Sequence, residues 1–210
     1  ELFCDIGAPD KEKALALCPP GSAGVFLNTA PRQRGDRVEG GGISALAGAA
    51  LLLRLIKTLE NEKDDLFIVF HAQRHMGHRG LKTAAFACEA DTAVLVDTVP
   101  AGDTPDAKSG AAIDCAAVKL SEGSTSYDSE LSARFLERAR DIGAKASPYL
   151  SPDAPAGADA AQLAGFGCRV CALALPVRFF GAACEAAALS AFESALALLK
   201  DFLKGAPEKP

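Results

Sequence analysis

Hydrophobic residues along this chain fall into two alternating kinds of run, one continuous and one confined to a single face. Ile43 to Leu59 reads ISALAGAALLLRLIKTL, apolar on nearly all sides, which predicts a helix buried against a sheet with Ser44 as its cap. LFIVFHAQ (66–73) packs β-branched and aromatic residues into one short run and predicts a central strand. A glycine-marked turn and a helix follow in HMGHRGLKTAAFACEA. TAVLVDT (92–98) predicts a second buried strand ending at an aspartate, and AAIDCAAVKL is a shorter strand candidate. In SYDSELSARFLERARDI (126–142) the apolar positions recur at helical spacing, placing Leu131, Phe135, Ala139 and Ile142 on one face. CRVCALALPV predicts a third strong strand, and Glu185 to Leu203 a closing Ala/Leu helix.

Strands alternating with helices predict an α/β fold: a mixed, mostly parallel central sheet with helices on both faces. Residues 20–42 read as loop with one short strand in GVFLN, and the first residues read as a strand. In sheets of this kind functional groups gather beyond the carboxyl ends of the strands.

Composition narrows the picture. The 210 residues are 49% hydrophobic, enough for one substantial core, and the net charge of −5 offers no basic face for nucleic acid. No run approaches the length of a membrane span, and ELFCDIGAPDKEK lacks a signal peptide's basic start and apolar stretch, so a cytoplasmic protein is expected. The seven cysteines mostly lie in apolar runs, as reduced core thiols do. Cys168 and Cys171 form a CxxC, but no second ligand pair accompanies it and it lies in a predicted strand, so both read as core thiols.

The predicted strand ends carry the candidate chemistry. The first ends in His71-Ala72-Gln73-Arg74-His75-Met76-Gly77-His78-Arg79-Gly80, the second at Asp97 followed by Ala101-Gly102-Asp103-Thr104-Pro105, and the third at Pro176-Val177-Arg178-Phe179-Phe180-Gly181. Taken in order, VEGGGISALAGAALLLRLIKTL, FHAQRHMGHRGLKTAAF, VLVDTVPAGDTP, GADA, LPVRFF and the terminal helix resemble the tetrahedral, or glutamyl, aminopeptidase family, also called cellulase M or deblocking aminopeptidases. The resemblance runs from about Leu2 to Leu203. It implies a domain division of 1–34 as the remnant of an inserted β-domain and linker, 35–204 as the α/β domain and 205–210 as a tail, with most of the β-domain missing.

The resemblance also implies two zinc or cobalt ions held by two histidines, two aspartates and a glutamate, with a second glutamate as general base. Paired ions of that kind polarise a carbonyl and acidify a bridging water. Carried over position by position, most of that set is exchanged. Ser44 stands at the bridging aspartate, Arg74 at the general base, His75 at a glutamate ligand and Gly181 at a histidine ligand, while Asp97 matches the aspartate that survives. The remaining family histidine belongs upstream of this sequence. Arg74 cannot accept a proton at neutral pH. The expectation is therefore a non-catalytic homologue without a metal cofactor, its role structural, in assembly or regulatory. Arg74, His75, His78, Asp97, Asp159 and Arg178 line its cleft, and Arg74 pairs with Asp97 where the metal charge would be.

Two alternatives stand beside it. One is a residual aminopeptidase with a single ion on His75 and Asp97, joined by His78 only if the turn at Gly77 folds back. The other is a carboxylate- or peptide-binding module in which Arg74, His75 and Arg79 make the cleft positive. The partners implied are a homo-oligomer, a mixed oligomer with an active paralogue, or a peptide ligand.

Overall fold

The computed structural model describes residues 3–25, 30–60, 65–105, 107, 110–151, 157–162 and 167–205, with the side chains of His75, Ala158 and Ala160 outside the description. Of the strand expected in GVFLN, residues 26–28 lie outside the description, and Gly24 and Val25 are in no strand. The described opening residues, 3–10, form no strand; after them comes a short helix, α1 (Lys11–Leu17), capped by the Asp10 carboxylate.

A hairpin follows, β1 (Arg32–Arg34) and β2 (Arg37–Gly40), in a stretch read from the sequence as loop. Next come α2 (Ile43–Ile56), a single 3-10 turn at Arg74–Met76, α3 (Arg79–Cys88) and β3 (Thr92–Pro100). The remainder is β4 (Ala116–Glu122), β5 (Thr125–Ser126), α4 (Ser129–Ile142), β6 (Ala146–Ser151), α5 (Ala158–Gln162), β7 (Arg169–Arg178), β8 (Glu185–Ala188) and α6 (Leu189–Lys204).

Among the described residues the strands join one mixed eight-stranded sheet in the order β1-β2-β8-β7-β4-β5, with β3 beside β7 and β6 beside β4. Its two longest pairings, β3 with β7 and β4 with β6, are parallel; the other pairings are short and antiparallel. Parallel pairing thus prevails by length and antiparallel pairing by number, because the connections into β2, β5 and β8 are too short for a crossover helix.

One sheet face buries Val118, Cys171, Leu173 and Leu175 under α2, α4 and α6, which contribute Leu51 and Leu55, Leu131 and Phe135, and Leu196, Leu198, Leu199 and Phe202. Phe135 and Phe202 stack with ring centroids 4.8 Å apart, locking α4 to α6. The opposite face packs Tyr127, Ala161, Val170 and Ala172, with Ala85 of α3 against them. Helices therefore cover both faces, as the sequence predicts.

Three further expectations need correction. Residues 66–73 form no strand, and Phe67 and Phe70 are 58% and 52% exposed; on the described residues, the edge of β3 away from β7 has no strand partner. The closing helix begins at Leu189 because Glu185–Ala188 is drawn into the sheet by β2 and β7. Ser44 is not the cap of α2: Gly42 is, with φ 75°, and Ser44 lies one residue inside the helix. Cys171, on β7, is buried in the core under α2, α4 and α6, whereas Cys168 precedes the strand and packs half-buried against the opposite face, so the two form no redox pair. Burial pushes the Cys171 thiol up to about 12.

Candidate functional site

The site is assembled across three adjacent strands. Asp97 of β3 stands opposite Ala174 of β7, and Lys119 of β4 stands opposite Ala172 of the same strand. Adjacent strands lie about 4.8 Å apart, so β3 and β4 flank β7 at about 10 Å. Only small side chains on β7 leave that span open, and here they are alanines. The Lys119 stem lies across them, and its Nζ donates to Asp97 Oδ2 and to Glu122 Oε1, each at 2.6 Å. Lys119 is 1% exposed.

Asp97 receives a second cation. Arg74 Nη2 lies 2.7 Å from Asp97 Oδ1, the ion pair expected from the sequence. Local backbone geometry delivers it: Gln73, Gly77 and His78 adopt left-handed φ values of 60°, 76° and 52° around the 3-10 turn, folding the chain back toward β3. Glycine takes that conformation without cost, and histidine is among the side chains that tolerate it.

Glu122, at the end of β4, also accepts from the Tyr127 hydroxyl at 2.7 Å and the Gly157 N–H at 3.1 Å. Burial, with the Glu122 charge next to it, raises the Tyr127 phenol far above its ordinary value and keeps it a donor. The His78 ring lies beside this bond; a Cβ added at Gly157 would come within 3.3 Å of His78 Cε1. Burial first, then the Arg74 charge, lowers the His78 pKa and favours neutral imidazole.

A second buried carboxylate sits one strand over. Glu185 of β8, 1% exposed, accepts the Ser44 N–H at 2.8 Å, the Ser44 hydroxyl at 2.5 Å and the Gly181 N–H at 2.6 Å. It thereby caps the first turn of α2, where unpaired amides and the helix dipole favour an anion. Thr98 of β3 donates to the Ser44 carbonyl at 2.7 Å, tying helix, β3 and β8 together.

The remaining candidates are braces. The Arg178 guanidinium grips both carboxylate oxygens of Asp103, and this bond holds the Asp103 pKa down. Asp159, in the first turn of α5, accepts from the Thr125 hydroxyl. His75 has its backbone in the 3-10 turn, and its side chain lies outside the description.

The sequence therefore marks Arg74, His78 and Asp97, which the fold brings together, and Ser44 and Gly181, which share one carboxylate. Lys119, Glu122, Tyr127 and Glu185 went unmarked. Lys119 left one signal: a lone lysine at a core position in the apolar strand AAVKL must find an anion or unfold its surroundings. Glu185 left none, because its partners are 141 residues upstream and four residues upstream in a loop.

A mixed sheet between helix layers thus carries a charged cluster that joins Asp97, within β3, to Lys119 and Glu122 of β4. The chain belongs to the M42 glutamyl aminopeptidase family, whose family model matches residues 1–198. An aminopeptidase-family protein of Acetivibrio thermocellus is 30% identical over 205 residues, 95% of this chain and 61% of that protein. Among solved structures, aminopeptidase APDkam598 of the archaeon Desulfurococcus kamchatkensis superposes with a TM-score of 0.77 at 19% identity, covering 84% of this chain and 51% of that one. The Pyrococcus horikoshii TET1 peptidase, which can assemble into a tetrahedron or a large octahedral shell, gives 0.76 at 23% identity over 95% and 59%. The chain thus spans between half and two thirds of the length of these relatives.

The described side chains do not fit a pair of divalent cations. Both oxygens of Asp97 already bond cationic side chains, Ser44 is spent on Glu185, and position 181 has no side chain. Among the described residues no group of three His, Cys, Asp or Glu side chains is placed to hold a metal. Also among them, no helix is long and apolar enough to cross a membrane.

Proposed function

We propose that this chain is an aminopeptidase-family protein that does not hydrolyse peptides and binds no zinc or cobalt, retained for a structural, assembly or regulatory role in the cytoplasm. One observation carries the reading: Asp97, the aspartate that by resemblance survives from the metal site, has each carboxylate oxygen held by a cation, Lys119 and Arg74. Arg74 also occupies the place of the general base, and a guanidinium does not take a proton near neutrality.

The single-ion alternative needs Asp97 as a ligand and loses support from the same two bonds. The carboxylate-binding alternative loses the Arg74 charge to Asp97 and keeps exposed Arg79, the His75 side chain lying outside the description. A homo-oligomer, or a mixed oligomer with an active paralogue, is the partner we favour. Its support is the apolar surface of α2, where Leu46, Leu53 and Ile56 remain exposed, together with the shells formed by the Pyrococcus relative.

The test is hydrolysis of aminoacyl and short-peptide substrates by purified protein after loading with zinc, cobalt or manganese. The reading predicts rates equal to buffer with each metal; chelator-sensitive turnover above buffer refutes it.

A further inference from the structure

We infer that the Lys119 ammonium is the resident cation of this cleft, holding Asp97 and Glu122 together in the place where a family metal would sit and keeping divalent ions out. The inference deepens the non-catalytic reading by naming the group that replaces the metal, and it rests on that reading only for its functional meaning. Lys119 approaches both carboxylates at the same 2.6 Å and is 1% exposed, so no water competes for its protons. Two carboxylates, Asp97 and Glu122, face two cations, Lys119 and Arg74, and the cluster is neutral as built. A divalent ion entering it would have to displace an ammonium tethered by its own chain, whose effective concentration no free ion matches.

Removing that tether inverts the logic. With Lys119→Met, Asp97 keeps Arg74 on one oxygen, Glu122 loses its cation and His78 stands alongside, so oxygen and nitrogen donors are freed toward the space the ammonium leaves. The variant is less stable than the parent chain and regains stability from zinc, manganese or cobalt. The rise in Tm is about 5–10 °C when the ion stands at a hundredfold its Kd. A second variant, Lys119→Met with Glu122→Gln, removes the stranded charge as well; it folds with most of the parent stability and gains nothing from metal.

The experiment is thermal and urea unfolding of the three proteins, each with and without zinc, cobalt or manganese, and with refolding in zinc should the single variant fail to fold alone. Expected are no metal shift in the parent, a rise in the single variant and none in the double. A metal-dependent rise in the parent, no response in the single variant, or a double variant as unstable as the single would overturn the inference. A single variant that ignores metal would sink this inference and leave the parent's lack of peptide hydrolysis standing, so the two failures are separable.

Discussion

Glu122, the last residue of β4, and Glu185, the first of β8, are both buried carboxylates, and each is neutralised by different means. Glu122 meets a full charge: the Lys119 ammonium, supported by a phenol and one backbone N–H. Glu185 accepts two backbone N–H groups and one hydroxyl at the head of α2, and among the described residues no cationic side chain bonds it. The first arrangement depends on one side chain and the second on the alignment of several backbone dipoles. An ammonium can be deleted by one substitution. A helix terminus cannot, so the Glu185 side is the more robust half of the site.

The sharpest way to break this comparison is Lys119→Met, which strands two carboxylates beside a single guanidinium. It should cost about 3–5 kcal/mol of unfolding free energy in urea titration, the cost of removing one partner of a buried pair. Glu185→Gln keeps one acceptor oxygen and turns an amide toward groups that themselves donate. Its expected cost is about 1–3 kcal/mol, read in the same titration, and a cost equal to that of Lys119→Met would erase the distinction. Tyr127→Phe removes only the hydroxyl from Glu122 and should cost about 1–2 kcal/mol. Arg74→Met touches the partly exposed pair, its side chain 36% accessible, and should change stability by under about 1 kcal/mol.

The smallest effect is in pH. His78 has a lowered pKa in the folded chain because burial, then Arg74, disfavours its charge. A depressed histidine contributes stability that is complete above its unfolded value, about 6.5, and is lost as pH falls from there toward the folded value. The urea midpoint should therefore drop between pH 7.5 and 5.5, and His78→Asn should flatten that drop; asparagine suits the positive φ at this position. Below about pH 4 the further loss belongs to Asp103, Asp128 and Asp201, whose pKa values are held down chiefly by bonds from Arg178, Arg169 and Arg138.

The same contrast explains what the sequence made legible. LFIVF and CRVCALALPV are runs of one kind, yet the second is the spine of the sheet and the first lies exposed outside it. Such a run states that a segment gains by leaving water, and it does not name the surface that receives it. For β7 the receiving surfaces are α4, α6, β3 and β4, all within the chain and recognisable from their own patterns. Polar partners were harder. Arg74 with Asp97 could be anticipated because a motif named both positions. Glu185 sat at the head of an Ala/Leu stretch, where helix propensity was the only local signal, and pairing with β2 overrode it. The hairpin at β1 and β2 was hidden for a similar reason: charged, short strands carry no apolar period.

Lysine in place of metal is the claim on which the rest stands, and anomalous diffraction at the zinc edge addresses it most directly. Crystals of the parent chain soaked in zinc should show an ammonium bridging Asp97 and Glu122 and no anomalous peak at bonding distance from either carboxylate. A zinc peak on Asp97, with Lys119 swung away, would contradict it.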